Sequence, residues 1–225
     1  MTRLIPHVAC LISGLCLIST PSLAEDLTAQ FDARHKTCLE EIAIDAQEAY
    51  EQALQWRDQG GGRRARHCVA MALYALGHED EAAFRLDDLA AGADGGSPAT
   101  RVKHYAEAAN FWLTANEADK AYASASAGLQ LEYEHLDLRI ARARAYALSG
   151  RYDYAETDLT SVLTLDPKHA GALRYRADAR FRQDKVDEAL TDIEAAINID
   201  PSSVETALLR GQIREAMRLA ELEAE

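Results

Sequence analysis

Pro167 and Pro201 stand 34 residues apart, and at that offset the stretches 136–169 and 170–203 repeat their chemistry position by position. The matched pairs are Arg142/Arg176, Ala143/Ala177, Ala145/Ala179, Asp153/Asp187, Ala155/Ala189, Thr157/Thr191, Asp158/Asp192, Asp166/Asp200 and Pro167/Pro201. A period of this length marks an array in which each unit buries its apolar face against its neighbours. Arrays of this kind present long continuous surfaces, so the period points to binding.

Within 136–169, Ile140, Ala143, Ala147 and Leu148 fall at helical spacing, and Ser149-Gly150 interrupts the run where a helix would end. A second helix is expected from about Asp153, with Ala155, Leu159, Val162 and Leu163 turned inward. Asp166-Pro167 stops it, because proline lacks a donor and the residue before it avoids the helical region. Each unit is therefore a pair of helices. Ala155 and Ala189 belong where the two helices cross; a larger side chain there would force them apart at a cost of roughly 1–3 kcal/mol.

The residues Ala143, Tyr146, Gly150, Tyr152, Ala155 and Pro167 in one unit, and Leu173, Ala177, Ala189, Ala196 and Pro201 in the next, make the sequence resemble the tetratricopeptide repeat (TPR) family. Asp184 and Val186 stand where that motif has a glycine and an aromatic residue. The resemblance implies an all-α fold, a right-handed α-α superhelix. It extends to a unit at 102–135, through Tyr105, Ala109, Trp112, Ala118 and Ala121, where Tyr133 occupies the proline slot. It reaches a further unit at 63–96, through Val69, Ala70, Leu73, Gly77, Ala82, Leu86 and Leu89, before a glycine-rich loop, Ala91 to Pro98. About four units thus fill 63–203. Residues 25–62 read as an N-terminal helical segment or degenerate half-repeat, with Asp45 and Glu48 starting a helix that ends at Gly60-Gly61-Gly62. Residues 204–225 read as a polar C-terminal capping helix with Ala207, Leu208, Gly211 and Ile213 on one side.

Residues 1–24 have the pattern of a secretory signal peptide: Arg3, an apolar stretch from Val8 to Ile18, and Ser22-Leu23-Ala24 before the cut. The expectation is an exported bacterial chain, cleaved after Ala24 and placed in the periplasm, with no transmembrane segment in its mature part. The net charge of -13 argues against nucleic acid and anionic lipid as partners. Cys10 and Cys16 depart with the leader, which leaves Cys38 and Cys68 in an oxidising compartment. A disulfide is the favoured reading, with free thiols and a metal or redox site at His35, Cys38, His67 and Cys68 as alternatives. His104, His135 and His169 are isolated from one another along the chain and read as surface or core residues.

The sequence carries no Gly-x-Ser-x-Gly, no His-Glu-x-x-His and no phosphate-binding glycine loop, so neither an enzyme nor a cofactor is expected. Gly60 to Gly62 with Arg63, Arg64 and Arg66 read as a flexible connection with solvated charges. First helices are basic and second helices acidic. Arg142 and Arg176 lie 16 residues before Asp158 and Asp192, the right place to join the helices of one unit. In the family resembled, first helices line a concave peptide groove. The groove candidates here are Lys103, Asn110, Arg144, Arg174, Tyr175, Asp178 and Arg182. Asn110 falls where family members that clamp a peptide carboxylate have an asparagine, but their accompanying lysine and asparagine pattern is missing. The function expected is a non-enzymatic periplasmic scaffold or adaptor that holds a protein or peptide segment, acidic in character. The alternative is a structural subunit of a cell-envelope assembly.

Overall fold

A computed structural model describes residues 23–223, and the signal-peptide pattern before Leu23, with Cys10 and Cys16, lies outside them. Eleven α-helices are found among the described residues: α1 (Leu23–Ile42), α2 (Ala46–Asp58), α3 (Gly62–Ala75), α4 (Glu79–Ala91), α5 (Pro98–Thr114), α6 (Ala118–Leu131), α7 (Leu136–Leu148), α8 (Tyr152–Leu165), α9 (Ala170–Phe181), α10 (Val186–Ile199) and α11 (Val204–Glu223). The expected all-α array of paired helices is the fold observed.

One local device turns the chain inside each of four units. Gly77, Asn116, Gly150 and Asp184 all have left-handed backbone, with φ of 81°, 61°, 72° and 63°. The next residue donates its amide back across the helix end, His78 to Leu73, Glu117 to Trp112, Arg151 to Tyr146 and Lys185 to Arg180, which is the Schellman closure. Asn116 and Asp184 fill the slot because short polar residues tolerate this conformation better than other side chains do. The second helices end as the prolines dictate: α8 and α10 stop at Leu165 and Ile199, one residue short of Asp166-Pro167 and Asp200-Pro201. His135 and His169, themselves one period apart, are N-caps, their Nδ1 atoms accepting from the amides of Leu138 and Ala172.

Every helix packs on its successor, and first helices also meet across units, α1 with α3, α5 with α7, α7 with α9, and α9 with α11. Among the described residues no two second helices meet to that extent. The first helices therefore form the inner layer. Alanine allows the close approach: Ala82, Ala121, Ala155 and Ala189 in the second helices are fully buried, as are Ala70, Ala109, Ala143 and Ala177 in the first. Arg142 and Arg176 clasp Asp158 and Asp192 through paired hydrogen bonds of 2.7–2.8 Å, so these two arginines do join the helices of their units.

Two details differ from the sequence reading. In α11 the buried face is Thr206, Leu209 and Ile213, whereas Leu208 is exposed along with Ala207 and Gly211. Adjacent leucines fit two overlapping helical stripes, and the register against α10 selects the second. The arginines after Gly62 are not merely solvated: Arg64 pairs with Asp32 of α1, Arg66 pairs with Asp94, and Arg63 lies against Gly96.

Candidate binding groove and a buried histidine cluster

The first helices place six of the seven groove candidates in two neighbouring cavities. One, of about 420 Å³, lies among α5, α7, α8 and α9 and is lined by Arg144, Tyr175, Asp178 and Arg182 together with Leu113 and Leu148. The other, of about 620 Å³, lies between α5 and α7 and holds Lys103 and Asn110. Arg144 links them: its Nη1 donates to Asn110 Oδ1 at 2.9 Å, and its guanidinium lies 5.3 Å from the Tyr175 ring centre. Arg174 lines neither cavity but rests 4.2 Å from the same ring. Arg182 reaches Asp178 at 3.4 Å with both side chains substantially exposed.

Charge divides the two cavities. The one at α5–α7 also carries Glu107, Glu132 and Asp137, so Lys103 and Asn110 sit among carboxylates. The one at α7–α9 carries two arginines against Asp178 alone among charged residues. Many arginines of the first helices are occupied elsewhere: Arg139 and Arg142 face Asp158, Arg176 faces Asp192, and Arg180 bridges Asp192 and Glu156. Basic first helices against acidic second helices thus serve mainly to join helices, whereas Arg144, Arg174 and Arg182 contact Asn110, Tyr175 and Asp178 of first helices instead. Asn110 is also occupied, donating to the Ala106 carbonyl while accepting from Arg144.

Cys38 and Cys68 form a disulfide between α1 and α3, with Cα atoms 6.4 Å apart, within the range such bonds require. Bonded to each other, they are not free to act as metal ligands, which corrects the alternative that grouped them with His35 and His67. The histidines turn elsewhere. His35 Nε2 lies 2.8 Å from His67 Nδ1, His67 Nε2 lies 2.9 Å from Glu107 Oε2, and His104 Nδ1 lies 3.3 Å from the same oxygen. His104 is a core residue, as read, and its ring centre stands 4.8 Å from that of His67. The sequence distance of 37 residues, off the repeat period, concealed this meeting.

Burial and neighbouring charge fix the proton balance of the cluster. Burial, helped by the adjacent His67, pushes His35 down to about 4. Burial likewise lowers His104 against the opposing pull of Glu107. Glu107 would be raised by burial, but hydrogen bonds from His104 and His67 outweigh it and hold the carboxyl at about 2. At neutral pH the cluster is an ionised carboxylate with neutral imidazoles at His35 and His104.

No known family profile and no curated protein sequence matches the chain. Solved structures do resemble it. The thermophilic TPR protein TTC0263 of Thermus thermophilus superposes with a TM-score of 0.61 at 15% identity, covering 81% of this chain and 98% of that one. YrrB, described as a TPR protein with an unusual peptide-binding site, gives a TM-score of 0.60 at 15% identity, covering 75% and 85%. The first TPR domain of Spaghetti (RPAP3), solved with the HSP90 peptide SRMEEVD, gives 0.50 at 24% identity, covering 52% and 93%. Taken with the helix pairing and the shared caps, these likenesses identify the fold of this chain as a TPR-type helical array.

Proposed function

We propose that the chain is a non-enzymatic scaffold or adaptor that holds an acidic peptide segment of a protein partner along its first helices. The observation that carries this reading is the cavity at α7–α9, where Arg144, Tyr175 and Arg182 converge beside apolar Leu113 and Leu148. Guanidinium groups recognise carboxylates by paired hydrogen bonds, and an apolar floor holds intervening side chains. The peptide complex of the Spaghetti domain supports the reading, since a similar fold there is bound to a segment rich in glutamate. The lysine and asparagine pattern of a carboxylate clamp is missing here, so the contact proposed is with acidic side chains rather than a chain terminus. Location in the periplasm is part of the proposal, supported by the leader pattern of residues 1–24 and by the disulfide, a bond that persists in oxidising compartments.

Fluorescence anisotropy with labelled SRMEEVD, and with the same peptide carrying lysine for each glutamate, tests it. The acidic peptide binds, binding weakens with salt, and replacing Arg144, Arg174 and Arg182 together by glutamate abolishes it. Equal binding of both peptides, or binding untouched by the triple replacement, refutes the proposal.

A second reading, a structural subunit of a cell-envelope assembly, draws on the second helices, where Phe84 and Tyr154 are 63% and 50% exposed. Light scattering on the native material separates the two: a permanent subunit elutes at fixed stoichiometry with its partner, an adaptor mostly alone.

A further inference from the structure

We infer that His67, His104 and Glu107 form a binding site for a divalent transition-metal ion of the zinc class. The three side chains come from α3 and α5, and one ligand atom from each lies within 4.8 Å of the others. The carboxylate oxygen stands 2.9 Å from His67 Nε2 and 3.3 Å from His104 Nδ1. Ligand atoms around a tetrahedral zinc are about 3.3 Å apart, given bonds of roughly 2.0–2.1 Å, so small side-chain shifts admit the ion. Two imidazoles and one carboxylate are a familiar donor set for catalytic zinc, which keeps its fourth position for water or substrate.

Two further observations point to a ligand. In the next two units the position of His104 is occupied by Leu138 and Ala172, both fully buried, so packing at this place is satisfied without a polar ring. An approach exists: a cavity of about 380 Å³ reaches His67 and His104 past His35, Thr100 and Lys103.

His35 completes the arrangement as a positioning residue. With an ion on His67 Nε2, the imidazole proton sits on Nδ1 and is donated to His35 Nε2 at 2.8 Å, the outer hydrogen bond that orients metal-binding histidines. The disulfide holds this contact, since Cys38 lies one turn beyond His35 and Cys68 follows His67. Cations stand near: Lys103 is 3.8 Å from Glu107 Oε1, and Arg63 and Arg64 line the cavity. Arg64 is neutralised by Asp32, and Lys103 is exposed enough to swing away.

The test is calorimetric titration of zinc chloride into metal-stripped, disulfide-intact protein without thiol reductant, checked by the visible spectrum of the cobalt-loaded form. One equivalent binds. Glu107→Gln, which keeps the shape and an acceptor, weakens binding by at least tenfold, as does His104→Gln. His35→Gln weakens it by about 10- to 100-fold, the usual effect of removing an outer hydrogen bond. His78→Ala, an exposed histidine at the start of α4, leaves it unchanged. Circular dichroism establishes that each variant is folded. The inference is overturned if no saturable binding occurs, or if folded Glu107→Gln and His104→Gln bind zinc as the parent does.

Discussion

Removing the Cys38–Cys68 bond tests how the first helix is held to the array. Among the described side chains of α1, Cys38 is the one that is buried, 7% exposed. Besides the part-buried His35–His67 contact and Ile42 against the core, the helix is attached through Phe31 against Trp56 at 6.3 Å between ring centres, Arg34 over Trp56 at 4.8 Å, and the Asp32–Arg64 pair. Surface pairs of this kind contribute at most about 1 kcal/mol each. The disulfide closes a span of 30 residues. Restricting the unfolded chain over such a span stabilises the fold by roughly 3–4 kcal/mol. That is a large part of the ~5–15 kcal/mol by which domains are stable. In denaturant titrations, Cys38→Ser/Cys68→Ser therefore unfolds at a clearly lower midpoint than the oxidised parent, and hydrogen exchange in α1 rises more than in α7–α10. Alkylation finds two thiols in the parent only after reduction. Equal midpoints with and without the bond, with α1 equally protected, refute the reasoning.

Deleting Asp192 strips Arg176 of the carboxylate it holds at 2.7–2.8 Å and leaves Arg180 with Glu156 alone, so Asp192→Ala costs about 3–5 kcal/mol in chemical denaturation. Asp178→Ala, which removes only a half-exposed partner of Arg182, changes stability by less than about 1 kcal/mol; equal losses would contradict the division into joining and groove residues. Gly211→Ala, with open space around the new methyl, stabilises α11 by roughly 0.5–1 kcal/mol. Gly128→Ala meets Leu138 at 2.6 Å inside the core and destabilises by about 1–2 kcal/mol despite the same helical gain, so stabilisation of both would refute the packing. Burial raises Glu156, but hydrogen bonds from Lys185, Arg180 and Gln183 outweigh it and hold the carboxyl at about 2 against an ordinary 4.5. A depressed carboxylate stabilises above its unfolded value and loses that effect as pH falls. After discounting for solvent, about 1–2 kcal/mol disappears between those two values, a loss that Glu156→Gln does not show in acid unfolding.

The period made the architecture legible because each unit satisfies the same local demands: a left-handed turn, alanines at the crossing, and Asp-Pro at the second helix end in the last two units. Arg142 and Arg176 were readable for the same reason, since both partners recur at a fixed offset. What escaped the sequence is what breaks the period. His104 meets His67 through the packing of α5 on the preceding unit, a contact no repeat position encodes. Arg180 reaches back to Glu156 across a unit boundary, which removes it from the inner charge. On α11, Ile213 is buried as its spacing implies, but Leu209 rather than Leu208 accompanies it, because the two leucines are chemically alike and only the surface of α10 distinguishes them. Compartment and spacing favour the disulfide that removes the cysteines from the histidine cluster, whereas Glu107 as the cluster's carboxylate is visible only in the three-dimensional packing.

The central claim is that the inner layer of first helices is the working face. Amide and side-chain chemical-shift mapping during titration with SRMEEVD tests it most directly. The account predicts perturbations concentrated at Arg144, Tyr175, Asp178 and Arg182, with α4, α6 and α8 quiet on their outer sides. Shifts gathered around Phe84 and Tyr154 instead, with the α7–α9 cavity unchanged, would contradict it.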